Sequence, residues 1–164
     1  MINYNRQHID KKDINGVIKV LKSDFLTQGK QIEKFEKKLS NVFNSKYACA
    51  VSSGTAALHL SAIALNFNKN DLILLSPITF VASANCALYC NSKVDFVDIE
   101  RNYYTIDPVE LERKLELLHN KKKKVKAVIV TDYAGQPSNW KKLKFLSKKY
   151  KFYLINDNCH ALGA

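Results

Sequence analysis

Short apolar runs alternate with amphipathic stretches along most of this chain, and that alternation limits the fold more than any other feature. Five runs read as strand candidates: Tyr47–Val51, Asp71–Leu75, Val94–Ile99, Val125–Val130 and Phe152–Ile155. Between them lie helix candidates at Gly54–Leu65, Phe80–Tyr89, a segment opening at Asp107, and Asn139–Tyr150. Leu111, Leu115 and Leu118 recur at helical spacing in the third, as do Leu143, Leu146 and Tyr150 in the fourth. Two further helices are predicted upstream. Asp10–Leu21 carries the stripe Ile14, Val17, Ile18 and Leu21; Gln31–Phe43 carries Ile32, Phe35, Leu39 and Val42. Asp10 is the expected N-cap of the first, with Asp13 three residues on. Asp107 caps the later helix, with Pro108 in its first turn and Glu110 in the capping-box position. Apolar strands joined by helices predict an α/β fold: a mostly parallel sheet with helices on both faces.

Composition removes several other classes. Of 164 residues, 46% are apolar and only 5 are Gly and 3 Pro, which excludes collagen-like and low-complexity chains. A chain of this length can bury about 70% of its unfolded surface. No apolar run approaches the roughly 20 residues of a membrane span, and Met1–Asp13 lacks the apolar centre of a signal peptide. The expected compartment is therefore the cytoplasm, with no membrane partner.

Lys plus Arg is 26 against 15 Asp plus Glu, a net charge of +11. The arginines are Arg6, Arg101 and Arg113; the rest is lysine, densest at Lys121–Lys124 between a helix and a strand. Nucleic-acid binders concentrate Arg and Lys on one face with stacking aromatics. Here the lysines fall on the polar sides of helices and in a loop, so a solvated surface is expected and no nucleic-acid partner. Cys49, Cys86, Cys90 and Cys159 lie in or beside apolar stretches without the spacing of a disulfide framework or a metal site. They read as buried free thiols, and no metal is expected.

The special residues gather where the strands end. Ser52–Ala57 follows the first strand candidate, Ser76–Phe80 the second, Thr131–Pro137 the fourth and Asn156–His160 the fifth. In an open α/β sheet, ligands bind beyond the carboxyl ends of the strands. Ser53-Gly54-Thr55 opens a helix, where free N–H groups, the helix dipole and two hydroxyls suit an anion; taken alone, it reads equally as a plain N-cap. Neither a Gly-x-Gly-x-x-Gly loop nor a Gly-x-x-x-x-Gly-Lys-Ser/Thr loop is present. Asp157 directly follows an apolar strand and suits either a cap or a partner for a protonated ring nitrogen. Phe80, at another strand end, suits either core packing or offset stacking on an aromatic ring. His160 stands three residues beyond Asp157. An anion nest, a flat aromatic and a strand-end carboxylate in one crevice would together accept a phosphorylated cationic heteroaromatic such as pyridoxal 5′-phosphate.

Six segments in order resemble one family. They are Leu26–Lys30 (Leu-Thr-Gln-Gly-Lys) with Phe35-Glu36, Ser52–Leu58 (Ser-Ser-Gly-Thr-Ala-Ala-Leu), Pro77–Asn85 (Pro-Ile-Thr-Phe-Val-Ala-Ser-Ala-Asn), Phe96–Asp98, Gly135–Pro137 and Asp157–Ala164 (Asp-Asn-Cys-His-Ala-Leu-Gly-Ala). The chain resembles the DegT-like sugar aminotransferases, fold type I pyridoxal phosphate enzymes that act on nucleotide-linked keto sugars. The resemblance implies that Gly54, Thr55 and Ala56, with Ser53 beside them, hold the cofactor phosphate. It implies that Phe80 stacks on the pyridine ring, that Asp157 keeps the ring nitrogen protonated, and that His160 binds the ring hydroxyl where many members carry Gln. Asp132–Gly135 departs from the commoner His-containing loop. That loop, with Tyr4, Leu26–Lys30 and His160–Gly163, is most similar to the branch that aminates a 4-keto sugar toward pseudaminic acid. In that branch Tyr4, Asp24, Phe25, Leu26 and Thr27 would touch the sugar nucleotide.

The implied reaction moves an amino group, with glutamate as donor, to C4 of a UDP-linked 4-keto-6-deoxy sugar. The implied organisation is an N-terminal helix and substrate-contacting segment at 1–30, then an incomplete cofactor-binding large domain at 31–164, in a protein that works as a homodimer. The family's Schiff-base lysine follows a Ser downstream of the Asp157 motif, and none of the lysines here has that context. The 164 residues are thus expected to be the front part of a longer enzyme and inactive alone. Three rival readings remain at this level: a dehydratase or desulfurase on the same fold, a non-catalytic product, and lysine-mediated binding of nucleic acid.

Overall fold

A computed structural model describes residues 6–164. The chain falls into two compact units that part between Ala50 and Val51. The first unit holds α1 (Lys11–Leu21) and α2 (Lys30–Val42). Asp10 caps α1 through the expected reciprocal box: its carboxylate accepts from the N–H groups of Lys12 and Asp13, and its own N–H donates to Asp13 Oδ2 at 2.9 Å. Both helices carry the anticipated apolar stripes, yet neither contains a buried residue.

The second unit runs α3 (Gly54–Ala64), β1 (Leu72–Leu75), α4 (Ala82–Tyr89), β2 (Lys93–Phe96), α5 (Pro108–Asn120), β3 (Val125–Thr131), a 3-10 turn (Tyr133–Gly135), α6 (Trp140–Tyr150) and β4 (Tyr153–Asp157). All strand pairs are parallel, in the order β2-β1-β3-β4. Successive side chains leave a strand on opposite faces. Leu74, Val128 and Val130 accordingly pack toward Leu111, Leu115, Leu143 and Leu146 of α5 and α6. Ile73, Leu75, Ala127 and Ile129 pack toward Leu58 and Ala62 of α3 and Cys86 and Ala87 of α4. Burial on both faces explains why these strands read as unbroken apolar runs. No helix among the described residues is long and apolar enough to cross a membrane.

Three expectations change. Tyr47–Val51 is not a strand: among the described residues no strand pairs with it, and the Ala50 N–H donates to Glu36 Oε1 at 2.8 Å. An apolar run becomes a strand only when a neighbour completes its ladder. The capping box at α5 does not form, because the Asp107 N–H already donates to the Asp98 carbonyl and Glu110 turns to Arg113 at 2.6 Å. Of the four free cysteines only Cys86 is buried; Cys49 lies exposed in the unpaired segment and Cys159 exposed in the loop after β4.

The strand order sets where a ligand can enter. From β1 the chain passes through α4 to β2 on one side, then returns through α5 to β3 on the other. The loops leaving β1 and β3 therefore diverge, and a crevice opens between their carboxyl ends.

Candidate functional site

That crevice is a cavity of about 250 Å³ in the second unit. Gly54, Thr55, Phe80, Asp157 and His160 all line it, joined by Leu58, Ala82, Thr131 and Cys159. Five of the seven cofactor-binding residues expected from sequence thus meet around one space. The other two, Ser53 and Ala56, hold the helix end instead: Ser53 Oγ accepts the Ala56 N–H at 3.1 Å. Among the described residues the N–H groups of Gly54 and Thr55 have no acceptor, so the first turn of α3 presents two free donors and the positive end of its dipole. The absence of a side chain at residue 54 matters, since a Cβ there would lie 3.0 Å from Cys159 Sγ.

Phe80 lies just ahead of α4, and 66% of it is exposed. An exposed large aromatic beside a cavity offers a face on which a flat ligand can stack.

Asp157 closes β4 with only 6% exposure. Its Oδ2 accepts from Ser83 Oγ at 2.8 Å, while Oδ1 receives only a long contact, 3.4 Å, from the Cys159 N–H. A buried carboxylate with one oxygen so lightly engaged is suited to a cationic donor. Hydrogen bonding to Asp157 first, then burial and the carboxylate's charge, pushes the neighbouring Cys159 thiol up to about 11. Cys159 is therefore an inert wall of the cavity at neutral pH rather than a nucleophile. Cys86, in the core on this side of the sheet, is likewise pushed up to about 11, there mainly by burial.

His160 is oriented by the loop after β3. Its Nδ1 accepts the Ala134 N–H at 3.4 Å, and its ring lies 5.8 Å from that of Tyr133. Ala134 reaches this position with a left-handed backbone, φ 51°. An accepting Nδ1 places the proton of the neutral imidazole on Nε2, which makes that atom a donor.

The expected substrate contacts behave differently. Asp24, Phe25 and Leu26 line a separate groove of about 450 Å³ within the first unit, alongside Lys19, Lys30 and Lys34 of α1 and α2; Thr27 does not line it. Tyr4 lies outside the described residues. Sequence reasoning placed Thr79 and Thr131 in strand-end segments without giving them a role and gave none to Ser83; Thr131 lines the cavity, and Thr79 and Ser83 stand behind Asp157. The one available signal was a hydroxyl, Ser83, among the small apolar residues of a buried helix face.

The sequence profile of the DegT/DnrJ/EryC1/StrS aminotransferase family matches residues 7–164. The chain is 40% identical over its whole length to the UDP-4-amino-4,6-dideoxy-N-acetyl-beta-L-altrosamine transaminase of Campylobacter jejuni subsp. jejuni serotype O:23/36 (strain 81-176), of which it covers 42%. It superposes on Helicobacter pylori PseC, an aminotransferase involved in the biosynthesis of pseudoaminic acid, with a TM-score of 0.86 and 32% identity over 98% of this chain and 42% of that one. It also superposes on a GDP-4-keto-6-deoxymannose-3-dehydratase with a trapped PLP-glutamate geminal diamine, with a TM-score of 0.85 and 28% identity over 99% of this chain and 42% of that one. The chain spans about two-fifths of the length of the relatives it matches. Matched by that profile over nearly all of its length and by these superpositions in its fold, the chain belongs to the DegT/DnrJ/EryC1/StrS aminotransferase family, whose cofactor is pyridoxal 5′-phosphate.

Proposed function

We propose that this chain supplies the cofactor cradle of an enzyme that transfers an amino group from glutamate to C4 of a UDP-linked 4-keto-6-deoxy sugar, in the making of a surface polysaccharide or nonulosonic acid. The observation that carries the reading is the convergence of Gly54 and Thr55, Phe80 and Asp157 on one cavity. The donor set fits the cofactor. Two unpaired N–H groups and the Thr55 hydroxyl meet a phosphate, Phe80 meets a ring face, and the open Oδ1 of Asp157 meets a ring nitrogen.

Bound there, pyridoxal phosphate would supply an electron sink for a carbanion next to the substrate nitrogen. The protein's part is binding, orientation and proton placement. Asp157 keeps a proton on the ring nitrogen, because a buried carboxylate stabilises the adjacent cation. His160, with Nε2 left as a donor, would hold the ring hydroxyl oxygen. Asp24, Phe25 and Leu26 are proposed to touch the sugar nucleotide, with Tyr4 and Thr27 as further contacts.

None of the nine residues around the cavity is a lysine. On the family resemblance, the amine that anchors the cofactor covalently is assigned to a lysine outside the 164 residues and the working enzyme to a homodimer. Incubating the 164-residue chain with pyridoxal phosphate, glutamate and the UDP-linked keto sugar is expected to yield no amino sugar; amino sugar formation would refute that assignment. Equilibrium dialysis is expected to show pyridoxal phosphate retained and competed by phosphate, with retention lost in Asp157→Ala. Equal retention by Asp157→Ala would sink the cofactor reading. The likeness to a dehydratase keeps one alternative chemistry on the same cradle, distinguished by whether the added keto sugar gains nitrogen or loses oxygen.

A further inference from the structure

Four side chains, of which Thr131 and Asp157 line the cavity and Thr79 and Ser83 stand behind it, form a continuous hydrogen-bonded line. Thr131 Oγ1 lies 2.7 Å from Thr79 Oγ1, Thr79 Oγ1 lies 2.9 Å from Ser83 Oγ, and Ser83 Oγ lies 2.8 Å from Asp157 Oδ2. Thr131 ends β3, Thr79 sits in the loop after β1, Ser83 in the first turn of α4, and Asp157 ends β4. The line bridges the crevice where the β1 and β3 connections diverge. Thr131, Ser83 and Asp157 are buried.

Its polarity follows from donor counting. A carboxylate only accepts, so the single Ser83 proton goes to Oδ2. Ser83 Oγ then accepts from Thr79, and Thr79 Oγ1 from Thr131, which satisfies every member once. Aligned hydroxyls strengthen one another in a low-dielectric interior. One oxygen of Asp157 is thereby committed and the carboxylate plane is fixed, which leaves Oδ1 for the cavity.

We infer that Ser83, backed by Thr79 and Thr131, is a positioning residue that aims Asp157 Oδ1 at a cationic ring nitrogen. The inference rests on the cofactor reading above and adds to it a residue that does not touch the cofactor. A merely structural serine would affect stability and all ligands alike. A positioning serine affects only ligands that own the ring nitrogen.

The test is calorimetric titration of the native protein, Ser83→Ala, Ser83→Thr and Thr79→Val with two probes: pyridoxal 5′-phosphate and its 1-deaza analogue, in which C–H replaces the ring nitrogen. Ser83→Ala is expected to lose about tenfold in affinity for pyridoxal phosphate, the usual scale for a hydrogen bond to a charged group, and nothing for the analogue. Ser83→Thr keeps the hydroxyl and is expected to restore the native affinity. Thr79→Val, of the same shape as threonine, is expected to show a smaller loss with the same selectivity. An unchanged affinity in Ser83→Ala, or equal losses for both probes, overturns the inference and leaves the cofactor reading standing. If Ser83→Ala does not fold, Thr79→Val decides on the same criterion. A native protein that binds neither probe refutes the cofactor reading and this inference with it.

Discussion

The two ends of the sheet carry cavities of different character. At the carboxyl end lies the cavity of about 250 Å³ described above. At the amino end lies a larger one, about 440 Å³, lined by Leu115, His119, Lys122–Lys124, Val125 and Tyr150. The larger has the more positive lining, yet Lys121–Lys124 are exposed, and exposed ammonium groups are screened. The smaller holds few charges, but its carboxylate is buried and hydrogen-bonded and its amide donors are fixed by a helix. Pre-set polar groups away from water, rather than volume or net charge, mark the place where a small ligand is recognised.

The largest effect is expected from removing the buried carboxylate. Asp157→Ala should weaken pyridoxal phosphate binding by roughly 100-fold, on the scale of a lost buried charge pair, while a triple Lys122→Ala, Lys123→Ala, Lys124→Ala variant binds as the native protein does. Dialysis of both would break the comparison if the lysine variant lost more. Next in size, Gly54→Ala should cost about tenfold, since the added methyl meets Cys159 Sγ at 3.0 Å and crowds the phosphate nest. Adding Cys159→Ala should recover part of that loss by freeing the space; no recovery would mean that the clash lies elsewhere.

A chemical probe sharpens the contrast further. Asp157→Ala removes both the hydrogen-bond acceptor and the charge that raise the Cys159 thiol to about 11, so its thiolate fraction at pH 8 rises. Alkylation of Cys159, followed by mass spectrometry, should then accelerate by about tenfold. The smallest effect belongs to Glu112, on the outer face of α5. Lys142, then Lys149, hold its carboxyl below the ordinary carboxylate range. A depressed folded value contributes stability above the unfolded value and loses it as pH falls through the folded one. Glu112→Gln should therefore lower the thermal midpoint slightly at pH 7, and the gap should close in acid. A gap that widens in acid would contradict the sign.

Much of the fold was legible because its signals are local. The helical stripes of α5 and α6, the Asp10 box and four of the five strand candidates appear in the structure within a residue or three of their expected limits. Tyr47–Val51 failed for the complementary reason: its apolar pattern is local, but the pairing that makes a strand is not. Site legibility divides the same way. Gly54, Thr55, Phe80, Asp157 and His160 sit in distinctive short contexts at element ends. Thr79 and Thr131 fall in strand-end segments that the sequence marks, but the line they form with Ser83 joins partners as far as 52 and 74 positions apart, so no local pattern shows it.

Residue order alone settled the alternation of strands and helices and the kinds of groups at each strand end, because periodicity and capping are written among neighbours within a turn or two. Tertiary structure decided the order β2-β1-β3-β4, and with it which loops face one another across the crevice. Strand pairing is a contest among distant segments for hydrogen bonds and burial, and only its outcome brings a helix start, an aromatic, a hydroxyl line and a carboxylate around one cavity.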